Sequence, residues 1–216
     1  MGLWNLPPQK TSITTSRLEP AGDDYTAESG LKTQYQSGIR TLIYAMLGTQ
    51  PDIAFAVSSI SRYAANPTPA YITAVKRIFQ YLKDTIDLQL TFHEDLTDLV
   101  GYSDSDWGGD PLTRSSTAGF IFNIGSDTIS WSSKRQFTVV FSTCEAEYQT
   151  QTQTAKEAVW LRSLFKKLNP VKHTPYATII YCDNQGVIAL VKDPKFYPRT
   201  KYIDIQHHWI REKIAK

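Results

Sequence analysis

The feature that most restricts the fold of this chain is a change of hydrophobic period at Leu99. Before it, apolar residues recur at three- and four-residue spacing; after it, they alternate or cluster in short runs. Leu99–Asp104 (LVGYSD), Thr117–Ile124 (TAGFIFNI) and Asp127–Ser132 (DTISWS) are predicted strands, separated by turn-forming residues. Val139–Phe141 is expected to extend the third after a bend. Thr143–Leu168 reads as one long helix, ended by Asn169-Pro170. Ala177–Cys182 (ATIIYC) is short and apolar enough for a buried strand, followed by a helix near Gln185–Val191 and a last helix over Ile203–Ile214. Three consecutive strands, a long helix and another strand require an α/β sheet, with the final strand parallel to a neighbour.

Upstream, three helices are predicted. Gly38–Leu47 carries Ile39, Leu42, Ile43, Met46 and Leu47 on one face. Pro51 opens Asp52–Ala65, and Asn66-Pro67-Thr68-Pro69 breaks it before Ala70–Lys83. A short strand is expected at Leu88–Phe92. Residues 1–35 mix Pro, Thr, Ser, Asp and Gly, and read as an extended or poorly ordered lead-in. The predicted organisation is therefore lead-in 1–35, helical module 36–95 and α/β domain 96–216.

Charge sharpens the division. Residues 1–98 hold 8 basic and 10 acidic side chains and residues 99–216 hold 15 and 11, so a total of +2 separates into −2 and +4. The basic half permits a polyanionic partner without requiring one. Two cysteines, Cys144 and Cys182, can build neither a disulfide framework nor a Cys-rich zinc site. With no apolar run of membrane-spanning length and no signal-like N-terminus, the expectation is a soluble, intracellular protein.

Three carboxylates stand where these elements put chemistry. Asp104 ends the first predicted strand and Asp183 follows the buried one, at the carboxyl ends where α/β sheets place ligands. Each could instead cap a following turn or helix. Ser142 and Glu145 have capping-box spacing, which gives Glu145 a structural task. Glu147 has none. At about 100° per residue it shares a face with Ala158, Leu161 and Phe165, so it either faces the sheet or points past its edge into water.

The wording around these residues is similar to that of a known family. YSDSDWGGD (102–110), TRSSTAGFIF (113–122), ISWSSKRQ (129–136), STCEAEY (142–148), KEAVWLRSL (156–164), YCDNQGVIAL (181–190) and RTKYIDIQHHWIREK (199–213) resemble copia-type retrotransposon Pol polyproteins. Residues 37–85 resemble the stretch between reverse transcriptase and ribonuclease H in those proteins. The resemblance implies a ribonuclease H-like mixed sheet flanked by helices, preceded by a small connection module that guides the hybrid. It implies two Mg²⁺ ions, with Mn²⁺ as an alternative, held by Asp104, Glu147 and Asp183 for endonucleolytic cleavage of RNA in RNA/DNA hybrids. It also implies the reverse transcriptase of the same polyprotein as a partner, no membrane, and a place in the cytoplasm, a virus-like particle or the nucleus. A fourth family carboxylate is expected on a further strand and helix beyond Lys216. A truncated or domesticated remnant that binds nucleic acid or protein without catalysis is the competing reading.

Nucleic-acid contacts are expected from residue chemistry. Lys192, Lys195, Arg199 and Lys201 lie with Phe196 and Tyr197 in a turn-rich stretch suited to phosphates and rings. The amides of Asn184 and Gln185 suit 2′-hydroxyls and base edges, and Ser133, Lys134 and Arg135 form a polar, basic turn. Asp204 reads as a helix-starting carboxylate. His207 and His208, adjacent on a helix, diverge by about 100° and do not converge on a metal.

Overall fold

The structure, a computed structural model, describes residues 10–12, 18–94, 98–110, 112–168, 177–192 and 210. The chain divides into two compact units, Met1–Thr91 and Phe92–Lys216.

In the first unit, prolines at the first turns set where helices begin. Helix α1 spans Ser29–Gly48; a 3₁₀ turn over Pro51–Ile53 leads into α2 (Ala54–Ser61), and Pro69 opens α3 (Pro69–Asp84). Tyr35, Ile39 and Leu42 face Ile53, Val57 and Ile60 and, from α3, Tyr71, Val75 and Ile78 in one core. Gly38 permits the close approach of α1 to α3, because a Cβ there would stand 2.9 Å from Val75 Cγ1. The buried phenols are satisfied: Tyr35 donates to Ile60 O and Tyr71 to Glu19 O, both at 2.6 Å.

This unit departs from expectation in three places. Helix α1 begins at Ser29, not Gly38, because Leu31 and Tyr35 extend its apolar face by two turns. The expected lead-in is also partly docked: Ala27 N–H donates to Asn66 Oδ1 and Asn66 Nδ2 donates to Tyr25 O. Helix α2 ends at Ser61 rather than Ala65.

The second unit is a four-stranded sheet in the order β3-β2-β1-β4, with β1 Leu99–Asp106, β2 Thr117–Ile124, β3 Asp127–Arg135 and β4 Ile179–Tyr181. The first three are antiparallel neighbours, while β4 runs parallel to β1 as the crossover through the long helix requires. That helix, α4 (Thr143–Leu168), lays Ala158, Leu161 and Phe165 on Leu99, Phe120, Phe122 and Ile180. Gly101 makes room beneath the sheet core, since a Cβ there would lie 2.6 Å from the Phe122 ring. Helix α5 (Gln185–Lys192) packs Val187 and Leu190 with Tyr148 and Ile210. This is an α/β architecture consistent with a ribonuclease H-like fold.

Here too the strand expectations need correction. Leu88–Phe92 forms no strand, as no strand of the described sheet pairs with it. The chain is instead held just beyond, where His93 donates its backbone N–H to the buried Asp127 carboxylate, keeping that carboxyl below its ordinary range. β3 ends at Arg135, so Val139–Phe141 does not extend it. β4 has only three residues and lies at the sheet edge, leaving Ile179 and Tyr181 half exposed where a buried strand is predicted. Of the last predicted helix only Ile210 is described; it is helical and buried.

Candidate metal centre

The parallel pairing of β1 and β4 sets the geometry. Val100 pairs with Ile179, Gly101 with Ile180 and Tyr102 with Tyr181, and the two tyrosine rings stack at 5.3 Å. Two residues beyond this last pair come Asp104, still on β1, and Asp183, past the end of β4, so both stand at the same end of the paired strands. Both are exposed.

Glu147 comes to them from the first turns of α4. Glu145 N–H donates to Ser142 Oγ at 3.1 Å, and the Glu145 carboxylate accepts Phe141 N–H at 3.0 Å, so this carboxylate closes the cap as its spacing predicts. Glu147, on the opposite side of the turn, is only 6% exposed, and its Oε2 has no hydrogen-bond partner among the described residues. The choice between facing the sheet and pointing into water is thereby decided. Burial pushes the Glu147 carboxyl up to about 7; Asp104 and Asp183 add to the rise, and the Ser105 backbone N–H opposes it.

The sequence reading places no thiol beside these carboxylates, and the structure does. One ligand atom each from Glu147, Cys182 and Asp183 lies within 4.8 Å of the others. β4 ends at Tyr181, so strict strand alternation no longer sends residues 182 and 183 to opposite faces, and both reach Glu147. Burial raises the Cys182 thiol, Glu147 and Asp183 raise it further, and the Asn184 N–H opposes them. Cys144 follows the same direction, first through burial, then through Glu147 and Cys182. The adjacency of Cys182 to Asp183 was the signal available in the sequence.

The other aspartates of the first motif have different tasks. Asp110 is buried in its turn, accepting Leu112 N–H at 3.1 Å and Thr113 Oγ1–H at 2.6 Å. Asp106 is exposed against Gly109.

The nucleic-acid residues separate into groups. Asn184 and Gln185 adjoin Asp183; Asn184 Oδ1 accepts Val187 N–H at 3.1 Å and so caps α5, while Gln185 is exposed. Lys192 is exposed at the far end of α5. Ser133, Lys134 and Arg135 form the end of β3 rather than the predicted turn, because they continue its pairing with β2. Ser133 stands across β2 from Asp104 through the row Asp104–Gly119–Ser133, two strand spacings or about 10 Å away. Lys134 is exposed, and Arg135 Nη1 is 3.5 Å from Asp110 Oδ2, directed at the turn of that buried carboxylate. Lys195, Arg199, Lys201, Asp204, His207 and His208 lie outside the described residues.

No family model matches the chain. It is 42% identical over 183 residues, 85% of its length, to the retrovirus-related Pol polyprotein from transposon TNT 1-94 of Nicotiana tabacum. It is 38% identical over 195 residues, 88% of its length, to the corresponding polyprotein from transposon RE2 of Arabidopsis thaliana. The chain spans only 14% and 13% of these two relatives. It is also 42% identical over 128 residues to secreted RxLR effector protein 161 of Plasmopara viticola, covering 59% of this chain and 90% of that protein.

Proposed function

The chain belongs to the copia-type retrotransposon Pol polyproteins, and from that premise we propose that its second unit hydrolyses the RNA strand of RNA/DNA hybrids at a two-Mg²⁺ centre. One observation carries the reading: a buried glutamate with an unpartnered oxygen, set against two further carboxylates. A buried carboxylate oxygen without a partner is unfavourable, and a divalent cation would satisfy it while offsetting the repulsion from the two exposed aspartates beside it. Hard carboxylate oxygens suit Mg²⁺, with Mn²⁺ as its substitute.

In this reading Asp104, Glu147 and Asp183 hold the cations. When bound, these supply charge stabilisation at the attacking and leaving oxygens of an in-line displacement. With its carboxyl raised to about 7, Glu147 would release its proton to solvent to act as a ligand. Gln185 stands beside Asp183 at the start of α5, where its amide suits a ribose 2′-hydroxyl. Lys192, at the other end of the same helix, supplies a positive charge for backbone phosphate. Water adds to phosphorus and the P–O3′ bond breaks, leaving a 5′-phosphate and a 3′-hydroxyl. The natural setting would be a longer polyprotein, beside its reverse transcriptase, in the cytoplasm, a virus-like particle or the nucleus. Among the described residues no helix is long and apolar enough to cross a membrane.

The test is a labelled RNA/DNA hybrid incubated with the chain and Mg²⁺, beside Asp183→Asn. Cleavage lost in the variant supports the reading. A second reading is favoured by the effector relative, a protein carrying another name and almost wholly covered by this sequence. It holds that the chain binds nucleic acid or a protein partner and catalyses nothing. Retained hybrid affinity without cleavage would select it.

A further inference from the structure

The cysteine beside the carboxylates gives this centre a second metal chemistry. We infer that Cys182, Glu147 and Asp183 form a mixed thiolate–carboxylate site for a thiophilic divalent cation, Zn²⁺ or Cd²⁺, overlapping the Mg²⁺ centre. The three ligand atoms lie within 4.8 Å of one another. Tetrahedral ligands of one Zn²⁺, with metal bonds of about 2.0–2.3 Å, stand roughly 3.3–3.8 Å apart, so side-chain rotations that close about 1–1.5 Å complete the set. Glu147 is the independent indication that something is held here: it is 94% buried, from its 6% exposure, with Oε2 unpartnered among the described residues.

The ion would meet one soft and two hard donors, a combination that favours Zn²⁺ over Mg²⁺, which prefers oxygen in octahedral surroundings. Coordination exchanges the S–H bond for an S–metal bond and sends the proton to solvent. Exposed Asp183 provides the approach from water, and partly buried Cys182 closes the inner side. Cys144, one turn before Glu147 on α4 and packed in the same cluster as Cys182, flanks the site. Because both metals use Glu147 and Asp183, Zn²⁺ excludes Mg²⁺ from its productive arrangement. The binding stands independently of the nuclease reading; only its inhibitory consequence rests on it.

The test titrates Cd²⁺ into the full, reduced chain and follows the ultraviolet thiolate-to-Cd²⁺ charge-transfer band, with Zn²⁺ as competitor. The parent should saturate at one ion and release Cd²⁺ to Zn²⁺. Cys182→Ala and the size-conserving Cys182→Ser should lose the band, and Asp183→Asn should weaken affinity by at least roughly 10–100-fold, the cost of losing even an outer-shell partner. Absence of the band in the parent overturns the inference. So does a band that survives in Cys182→Ala but disappears in Cys144→Ala, which would assign the metal to the other thiol. Hybrid cleavage in Mg²⁺ separates this from the nuclease reading: a band without cleavage removes only the nuclease, and cleavage without a band removes only the thiophilic site. Where cleavage occurs, the Zn²⁺ midpoint for inhibition should rise at least about tenfold in Cys182→Ala, each variant measured against its own uninhibited rate.

Discussion

In the helical unit the phenols of Tyr35 and Tyr71 end on the carbonyls of Ile60 and Glu19 at 2.6 Å. In the sheet unit, Glu147 Oε2 and Ser105 Oγ are buried with no partner among the described residues; Ser105 lies on the strand that carries Asp104, and Glu147 meets the Ser105 backbone. The first unit therefore uses its polar atoms to fasten packing, whereas the second holds polar atoms that packing leaves unsatisfied. Under the proposed function, the unsatisfied atoms of the second unit are the ones a bound cation would answer.

The most severe break in this contrast is Glu147→Gln. Cation charge stabilisation is worth several kcal/mol, so cleavage of a hybrid in Mg²⁺ should fall by roughly 10²–10⁴-fold, read as initial rate. Leu42→Ala in the helical core should leave the Cd²⁺ titration unchanged, yet cost about 2–5 kcal/mol in denaturant unfolding, because Leu42 is fully buried.

The same Glu147→Gln variant should have the opposite effect on stability when metal is removed with a chelator. The Glu147 carboxyl moves from 4.5 to about 7 on folding, so between these values the folded chain keeps a proton that the unfolded chain has released. Stability of the metal-free protein should consequently fall as pH rises through that window, by about 1–3 kcal/mol at roughly 1.4 kcal/mol per tenfold change in proton affinity. Glu147→Gln should flatten this slope and be more stable than the parent at pH 8. A parent whose thermal midpoint rises from pH 5 to 8 relative to the variant would contradict the assignment. The smallest effect is expected from Ser142→Ala, which removes the cap of α4 at a cost of about 1 kcal/mol without changing the pH slope.

Much of the candidate site was legible in the sequence because its residues sit near element ends that local patterns mark, although β1 runs two residues past Asp104, to Asp106. Asp104 follows an alternating run, and Asp183 follows an apolar one. Glu145 could be assigned to the cap, which left Glu147 without a local task. The parallel β4 followed from the length of the crossover helix. What failed was pattern without a neighbour: Leu88–Phe92 and Val139–Phe141 have strand-like composition, but among the described residues no adjacent strand completes their hydrogen bonds. Ala177–Cys182 shortened for a related reason, since an edge strand pairs only on one side.

The sequence by itself determined the two kinds of periodicity, the helix starts at Pro51 and Pro69, the cap at Ser142, and the three acidic positions. These are local properties, set by residue chemistry within a turn or two. Only the tertiary structure decided that Glu147 is buried with its Oε2 unpartnered among the described residues, that Arg135 turns to Asp110, and that Cys182 lies beside Glu147 and Asp183. Those facts depend on which strand lies beside which and where β4 stops, and no single segment contains that information. Pairing between segments distant in the chain fixes both the dielectric around a charge and the atoms available to answer it.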